Sequence, residues 1–248
     1  MIENKDCIEF LRGLDSNSVD MVLVDPPYYK IVQDKWDNQW QSEKEYLDWC
    51  REWSSECVRV LRQNRMMVVW GTLKTDTFLR YKLDVLNFFS DMQSQNEIIW
   101  SYNWGGRSKK NFARKHEYAW CYSKGEFLFN ADNILVERKV KKNLRTGMDY
   151  EKGTIPTCVW EKNNHTTSKE FCGWHPTTKN LDVLDRMILA YTNEKDVVLD
   201  VFSGSGSTAI SCIRTNRNFL GCEIDKNYYE KSLQRLSSLH IGNDRYTG

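Results

Sequence analysis

Apolar residues follow two rhythms along this chain: short continuous runs, and longer stretches in which they recur every three or four positions. Val19-Asp20-Met21-Val22-Leu23-Val24 is a β-branched run that stops at Asp25-Pro26-Pro27, where two prolines cannot extend a ladder. It predicts a buried strand ending in a fixed turn. Ser42 followed by Glu45 has the form of a capping box, and Tyr46, Trp49, Cys50, Trp53, Cys57, Val60 and Leu61 then recur at helical spacing. This predicts a long amphipathic helix with its aromatic stripe in the core. Met66 to Trp70 and Glu97 to Trp100 read as two further strands, with helical character from about Phe78 to Phe89 between them. Near the end come a helix over Leu181 to Tyr191, a strand over Asp196 to Phe202, a helix from Ala209, a strand over Phe219 to Glu223 and a helix over Tyr228 to Leu239. Strands alternating with helices imply a mostly parallel sheet covered on both faces. Between Gly105 and about Asn180 the long apolar periods fade, as expected of a loop-rich insertion.

The 248 residues suit one α/β domain carrying an insertion better than two independent domains. Hydrophobic residues make up 40% and charged ones 28%, which excludes a disordered or collagen-like chain. With 35 Lys and Arg against 34 Asp and Glu, no global field attracts a polyanion, so such a partner needs a local patch. One exists. Gly105 to Arg145 holds eleven Lys and Arg (Arg107, Lys109, Lys110, Arg114, Lys115, Lys124, Arg138, Lys139, Lys141, Lys142, Arg145) against four acidic residues, interleaved with Asn103, Trp104, Asn111 and Phe112. That mixture suits phosphate contacts and base stacking; a solvated loop face is the plainer alternative.

No apolar run approaches the length of a membrane span, and Met1 to Asp6 lacks the apolar core of a signal peptide, so a cytoplasmic protein without a membrane partner is expected. The eight cysteines form no C-x-x-C pair and are expected as reduced thiols. Cys158, His165, Cys172 and His175 are four soft ligands within 18 residues, but their spacing resembles no common zinc module, and no metal is expected.

The strand running into Ser203-Gly204-Ser205-Gly206-Ser207-Thr208 and then a helix would place bare backbone amides at a helix N-terminus. Gly204, Gly206 and Ala209 fit a dinucleotide-type G-x-G-x-x-A, and Glu223 ends the next strand, where a ribose-binding carboxylate belongs. A nucleoside ligand is implied. Only about forty residues follow the loop, too few for the further strands of a dinucleotide fold, so the rest of the sheet must precede it.

That order, with the glycine loop late and Asp25-Pro26-Pro27-Tyr28 early, resembles the β-class amino-methylating DNA methyltransferases, a circularly permuted group dependent on S-adenosylmethionine. The resemblance spans most of the chain and is carried by Asp6-Cys7, Asp25 to Tyr28, Ile98-Ile99-Trp100 through His116 to Trp120, His175-Pro176-Thr177-Thr178-Lys179, Val198 to Thr208, and Gly221-Cys222-Glu223-Ile224. Val201 and Asn180 depart from it, since the family commonly has proline at both places. It implies a three-layer α/β/α Rossmann-like methyltransferase sheet, mostly parallel, in which residues 1–129 form a catalytic half, 130–172 a target-recognition insertion and 173–248 a cofactor-binding half. Its implied cofactor is S-adenosylmethionine and its implied partner DNA, with a homodimer left open beside the monomer.

By the same resemblance Phe202, Ser203, Gly204, Ser205, Gly206 and Thr208 cradle the methionine part of the cofactor, and Asp200 is a further cofactor residue. Glu223 takes the ribose hydroxyls, Ile224 flanks the adenine, Asp6 and Cys7 hold its edge, and His175 with Thr177 closes the carboxylate end. Plainer alternatives are a helix cap for Asp6, a surface ion pair for Glu223 and a solvated charge for Lys179. The reacting group is expected at Asp25-Pro26-Pro27-Tyr28. An exocyclic amine whose lone pair is delocalised must be made to attack a methyl group, and the Asp25 carboxylate with the Pro26 carbonyl can accept both amino hydrogens. Proline fixes that carbonyl, and Tyr28 offers a flat face to a base rotated out of the helix. Asp25, rather than serine, favours the N6 amine of adenine by family tendency. Arg107, Lys109, Lys110, Arg114, Lys139, Lys141 and Lys142 are candidate DNA contacts, as are Trp36 and Trp40. The rivals are N4-cytosine or RNA methylation, a nicotinamide dehydrogenase and a catalytically silent DNA-binding module.

Overall fold

A computed structural model describes residues 1–31, 37–73, 75–103, 109–137, 145, 152–162 and 172–243. Its eight strands form one sheet: β1 (Ile2–Asn4), β2 (Val19–Val24), β3 (Leu61–Gly71), β4 (Gln93–Ser101), β5 (His116–Lys124), β6 (Val159–Glu161), β7 (Val197–Asp200) and β8 (Asn218–Glu223), in the order β1-β8-β7-β2-β3-β5-β4-β6. The helices are α1 (Cys7–Arg12), α2 (Glu43–Val60), α3 (Asp76–Arg80), α4 (Leu181–Tyr191), α5 (Ser207–Arg214) and α6 (Lys226–Asn243).

Alternate residues of the central strands enter different cores. Val22 and Val24 of β2, Met67 and Val69 of β3 and Leu199 of β7 pack with Tyr46, Trp53 and Cys57 of α2 on one face. Met21 and Leu23, Met66, Val68 and Trp70, and Val198 pack with Leu184, Met187 and Ile188 of α4 on the other. Burial on both faces explains why these strands read as unbroken apolar runs. The result is the expected α/β/α sandwich. The Ser42 hydroxyl accepts from the Glu45 amide at 3.2 Å, and the Glu45 carboxylate accepts from the Gln41 amide at 2.8 Å, so the capping box forms one residue wider than its usual reciprocal pattern.

Three expectations change. The region from Gly105 onward is not all insertion, because β5 lies inside the sheet, antiparallel to both β3 and β4. The stretch from Phe78 to Phe89 is not one helix: α3 is followed by a π turn at Tyr81–Val85 and a 3-10 turn at Leu86–Phe88. Within 130–172, Val159–Glu161 adds a parallel edge strand to β4.

The sheet order positions the site. β2 and β7 are parallel neighbours, with Val22 opposite Leu199, so the turn after β2 and the loop after β7 leave by the same end of the sheet. From β2 the chain moves to β3 on one side, and from β7 to β8 on the other. This reversal is the topological switch point at which open α/β sheets hold their ligands.

Candidate active site

A cleft with a cavity volume of about 150 Å³ opens at this switch point, between Asp25 to Tyr28, the glycine loop and the end of β8. The proline turn is held from below, since the Tyr46 hydroxyl of α2 donates to the Pro27 carbonyl at 2.9 Å. Asp25 is gripped on both oxygens: the Tyr28 hydroxyl donates to Oδ1 at 2.7 Å, and Lys179 Nζ lies 2.7 Å from Oδ2. Lys179 also reaches Glu117 Oε2 at 2.8 Å, while the Tyr28 ring packs edge-on against Phe78. Burial alone would push the Lys179 ammonium down, but Asp25 and Glu117 outweigh it and hold the ammonium above the ordinary lysine value.

Across the cleft, Gly204 and Gly206 have φ of 48° and 75°, the left-handed region where a side chain is strained. At Gly204 a Cβ would also lie 2.8 Å from His175 Nε2, so His175 packs directly over bare backbone. Gly206 forms the N-cap of α5, which aims the first amides of that helix at the loop. Glu223 is buried and braces the loop: Oε2 accepts from the Gly204 amide and Oε1 from the Asp225 amide, both at 2.8 Å. Burial raises its carboxyl, partly offset by these bonds. Asp200 accepts from the Phe202 amide at 3.0 Å and from the Thr208 hydroxyl, yet burial still pushes its carboxyl up to about 7. It shares a smaller adjoining cavity with Ser203, Ser205 and Thr208.

All the expected cofactor residues but Gly206 line this cleft or the adjoining cavity. Asp6, Cys7, His175, Thr177, Phe202, Gly204, Glu223 and Ile224 line the cleft, and Ile224 is 62% exposed at its rim. Asp6 is at the same time the N-cap of α1, its Oδ1 accepting from the Ile8 and Glu9 amides, so the plainer reading of that residue also holds. The ion-pair alternative for Glu223 does not, because its bonds are to backbone amides in a buried setting. Lys179 is no solvated charge. Asn180, where the family commonly has proline, caps α4 by accepting from the Val183 amide at 3.2 Å. Val201 is buried in the core and its carbonyl receives the Cys222 thiol.

Sequence reasoning missed Glu117, Lys179 and Trp49 as cleft residues. Trp49 belongs to the helical stripe assigned to the core, but lies half-buried at the edge of that stripe with its ring 5.7 Å from Phe202. Glu117 and Lys179 are far apart in the chain from Asp25 and from each other, and only the pairing of β3 with β5 brings Glu117 near.

The nucleic-acid candidates divide. Trp40 is not a DNA contact here: it is buried against Tyr46 and Trp49, because the chain entering α2 folds back onto that helix. Lys124, counted in the basic patch, is also buried and donates to the carbonyls of Val58 and Leu61, the end of α2. Lys109, Lys110 and Arg114 are exposed between β4 and β5, with Phe112 94% exposed among them. Arg107, Lys139, Lys141, Lys142 and Trp36 lie outside the described residues, as does His165. Among the described residues no three His, Cys, Asp or Glu side chains are grouped to hold a metal, and no helix is long and apolar enough to cross a membrane.

A glycine loop with a strand-end carboxylate, facing a rigid proline turn that presents a second carboxylate, defines an α/β enzyme that brings a nucleoside-type ligand to a polar group of its substrate. The chain belongs to the DNA methylase family of N6 and N4 methyltransferases, which it matches over residues 19–234. It is 31% identical over 244 residues to the DNA adenine methyltransferase YhdJ of Escherichia coli strain K12, covering 93% of this chain and 80% of that one. Its fold is similar to that of the PvuII cytosine-N4-specific DNA methyltransferase, with TM-score 0.76 and 17% identity over 94% of this chain and 84% of that one. It is also similar to M1.HpyAVI, solved as a complex with SAM, with TM-score 0.62 and 24% identity over 95% of this chain and 98% of that one.

Proposed function

We propose that this chain transfers a methyl group from S-adenosylmethionine to the N6 amine of an adenine rotated out of DNA. The observation that carries the reading is that the Asp25 turn and the Gly204 loop face each other across one cleft. The residues present fit the cofactor: the Gly204 backbone lines the cleft, and Glu223 keeps acceptor capacity beyond its two amide bonds. Glu223 would take the ribose hydroxyls, Asp6, Cys7 and Ile224 the adenine, and Asp200, Phe202, Ser203, Ser205, Thr208, His175 and Thr177 the methionine end. When bound, the cofactor supplies an electrophilic methyl group on a sulfonium leaving group.

The chain's own work is at the amine. Asp25 and the Pro26 carbonyl accept its two hydrogens, which localises the nitrogen lone pair and stabilises the positive charge that develops there. Pro26 and Pro27 hold those acceptors in place before the base arrives, so no reorganisation is needed during reaction. Lys109, Lys110, Arg114 and the exposed Phe112 meet the DNA, the cations at phosphates and the ring at a base. Residues 130–172 carry target recognition.

Two measurements test the reading. S-adenosylmethionine at a hundredfold excess over its Kd stabilises the chain by about 2.7 kcal/mol, whereas nicotinamide dinucleotide leaves the melting temperature unchanged. Labelled methyl groups then appear in DNA and not in RNA; stabilisation by the dinucleotide alone, or label confined to RNA, contradicts it.

A further inference from the structure

Lys179 has no role in the cofactor and target contacts assigned above, yet its side chain is only 9% exposed and sits at the junction of three separate segments. A buried ammonium persists only when paired. Here it meets Asp25 from the turn after β2 and Glu117 from the start of β5, and it lies 5.0 Å from the centre of the Trp70 ring. Two carboxylates and one ammonium leave the cluster with one net negative charge. Asp25 and Glu117 keep 23% and 20% of their side chains exposed, so both remain open to the cleft.

We infer that Lys179 and Glu117 are positioning residues for the Asp25 carboxylate, the ammonium holding Asp25 in a single orientation and Glu117 holding the ammonium in place. This rests on the reading of Asp25 as acceptor for the target amine. With Tyr28 on Oδ1 and Lys179 on Oδ2 the carboxylate is fixed from two sides, and a carboxylate offers about four acceptor directions, so each oxygen retains one. Without the ammonium, Oδ2 loses its cationic partner and the carboxylate can turn away from the amine. Tyr28, Tyr102 and Asp200 feel the charges of the cluster, and His175 and Glu223 line the same cleft. Tyr102 is pushed up to about 12 by burial and then by Glu117, and so stays neutral where the cluster works.

The test uses Lys179→Met, Lys179→Arg and Glu117→Gln, read in two ways. One is kcat for methyl transfer at saturating DNA and methyl donor, set beside the KM for each. The other is the orientation of the Asp25 carboxylate in crystals of each variant. Lys179→Met lowers kcat by about ten- to a hundredfold with the donor KM unchanged, and lets the carboxylate turn. Lys179→Arg, which keeps the charge, recovers most of the rate, and Glu117→Gln falls between the wild type and Lys179→Met. A Lys179→Met enzyme with wild-type kcat and Asp25 in its wild-type orientation, or no recovery in Lys179→Arg, overturns the inference and makes Lys179 a packing post. Should Lys179→Met not fold, a Glu117→Gln enzyme with wild-type kcat and an unmoved Asp25 overturns it equally. Failure of the parent reading looks different: the wild type then transfers no methyl group to DNA, while the Asp25 orientation still reports on the cluster.

Discussion

Asp25 collects a hydroxyl and an ammonium on its two oxygens, and its proposed role at the amine separates chemistry from cofactor binding. Asp25→Ala lowers methyl transfer by at least about a hundredfold, the scale of losing one preorganised partner of developing charge, while calorimetry finds the methyl-donor affinity unchanged. Wild-type turnover in that variant removes Asp25 from the mechanism. Glu223 divides differently, because it braces the loop as well as holding the ligand in the proposed reading. Its loss in Glu223→Ala weakens the donor by about ten- to a hundredfold, from forfeited charge-assisted hydrogen bonds worth about 1.5–3 kcal/mol. Unchanged affinity would reduce Glu223 to a brace for the Gly204 amide. Asp200 governs pH. Its carboxyl is pushed up to about 7 from 3.8 by burial, so between those values the folded chain holds a proton that the unfolded chain has released. Stability from this residue is therefore full below about pH 4 and is lost as pH rises to about 7, falling by about 1.4 kcal/mol for each pH step of one across that window. Asp200→Asn flattens that slope in chemical denaturation across the window; an equally steep slope assigns the pH dependence to other groups.

Among the elements, those with a complete periodic pattern were legible. β2 and α4 fall on the residues their apolar runs mark, and α2 begins after the Ser42 cap that its sequence announces. β1 and β6 are three residues each, too short for a period to register. β5 was hidden because its apolar run, Tyr118 to Tyr122, lies inside a basic stretch, and because antiparallel pairing with β3 is a tertiary choice that local pattern does not encode. The same stretch misled on charge, since Lys124 is spent on the carbonyls at the end of α2 while Lys109, Lys110 and Arg114 stay exposed. Reversing those three exposed charges weakens DNA binding and flattens its salt dependence, by about 0.9 in log–log slope for each phosphate no longer neutralised, with donor affinity untouched. A salt slope equal to the wild type's makes the segment a solvated face.

At the scale of the molecule, chain order and sheet order differ, and the difference makes the site. The Asp25 turn comes early and the Gly204 loop late, yet β2 and β7 lie side by side, so the two meet at one switch point. The two motifs were legible because each carries its chemistry within a few consecutive residues: Asp25 to Tyr28, and Ser203 to Thr208. The Asp25–Lys179–Glu117 cluster was not, because its members are joined only by folding. The acceptor pair at Asp25 and Pro26 suits the two hydrogens of either adenine N6 or cytosine N4, and the aspartate supports adenine by resemblance to the family. The most direct test is to methylate DNA with the purified chain, digest it to nucleosides and separate them by mass spectrometry. N6-methyladenine is the expected product, absent with Asp25→Ala; a dominant N4-methylcytosine peak, or no methylated nucleoside at all, would contradict the assignment.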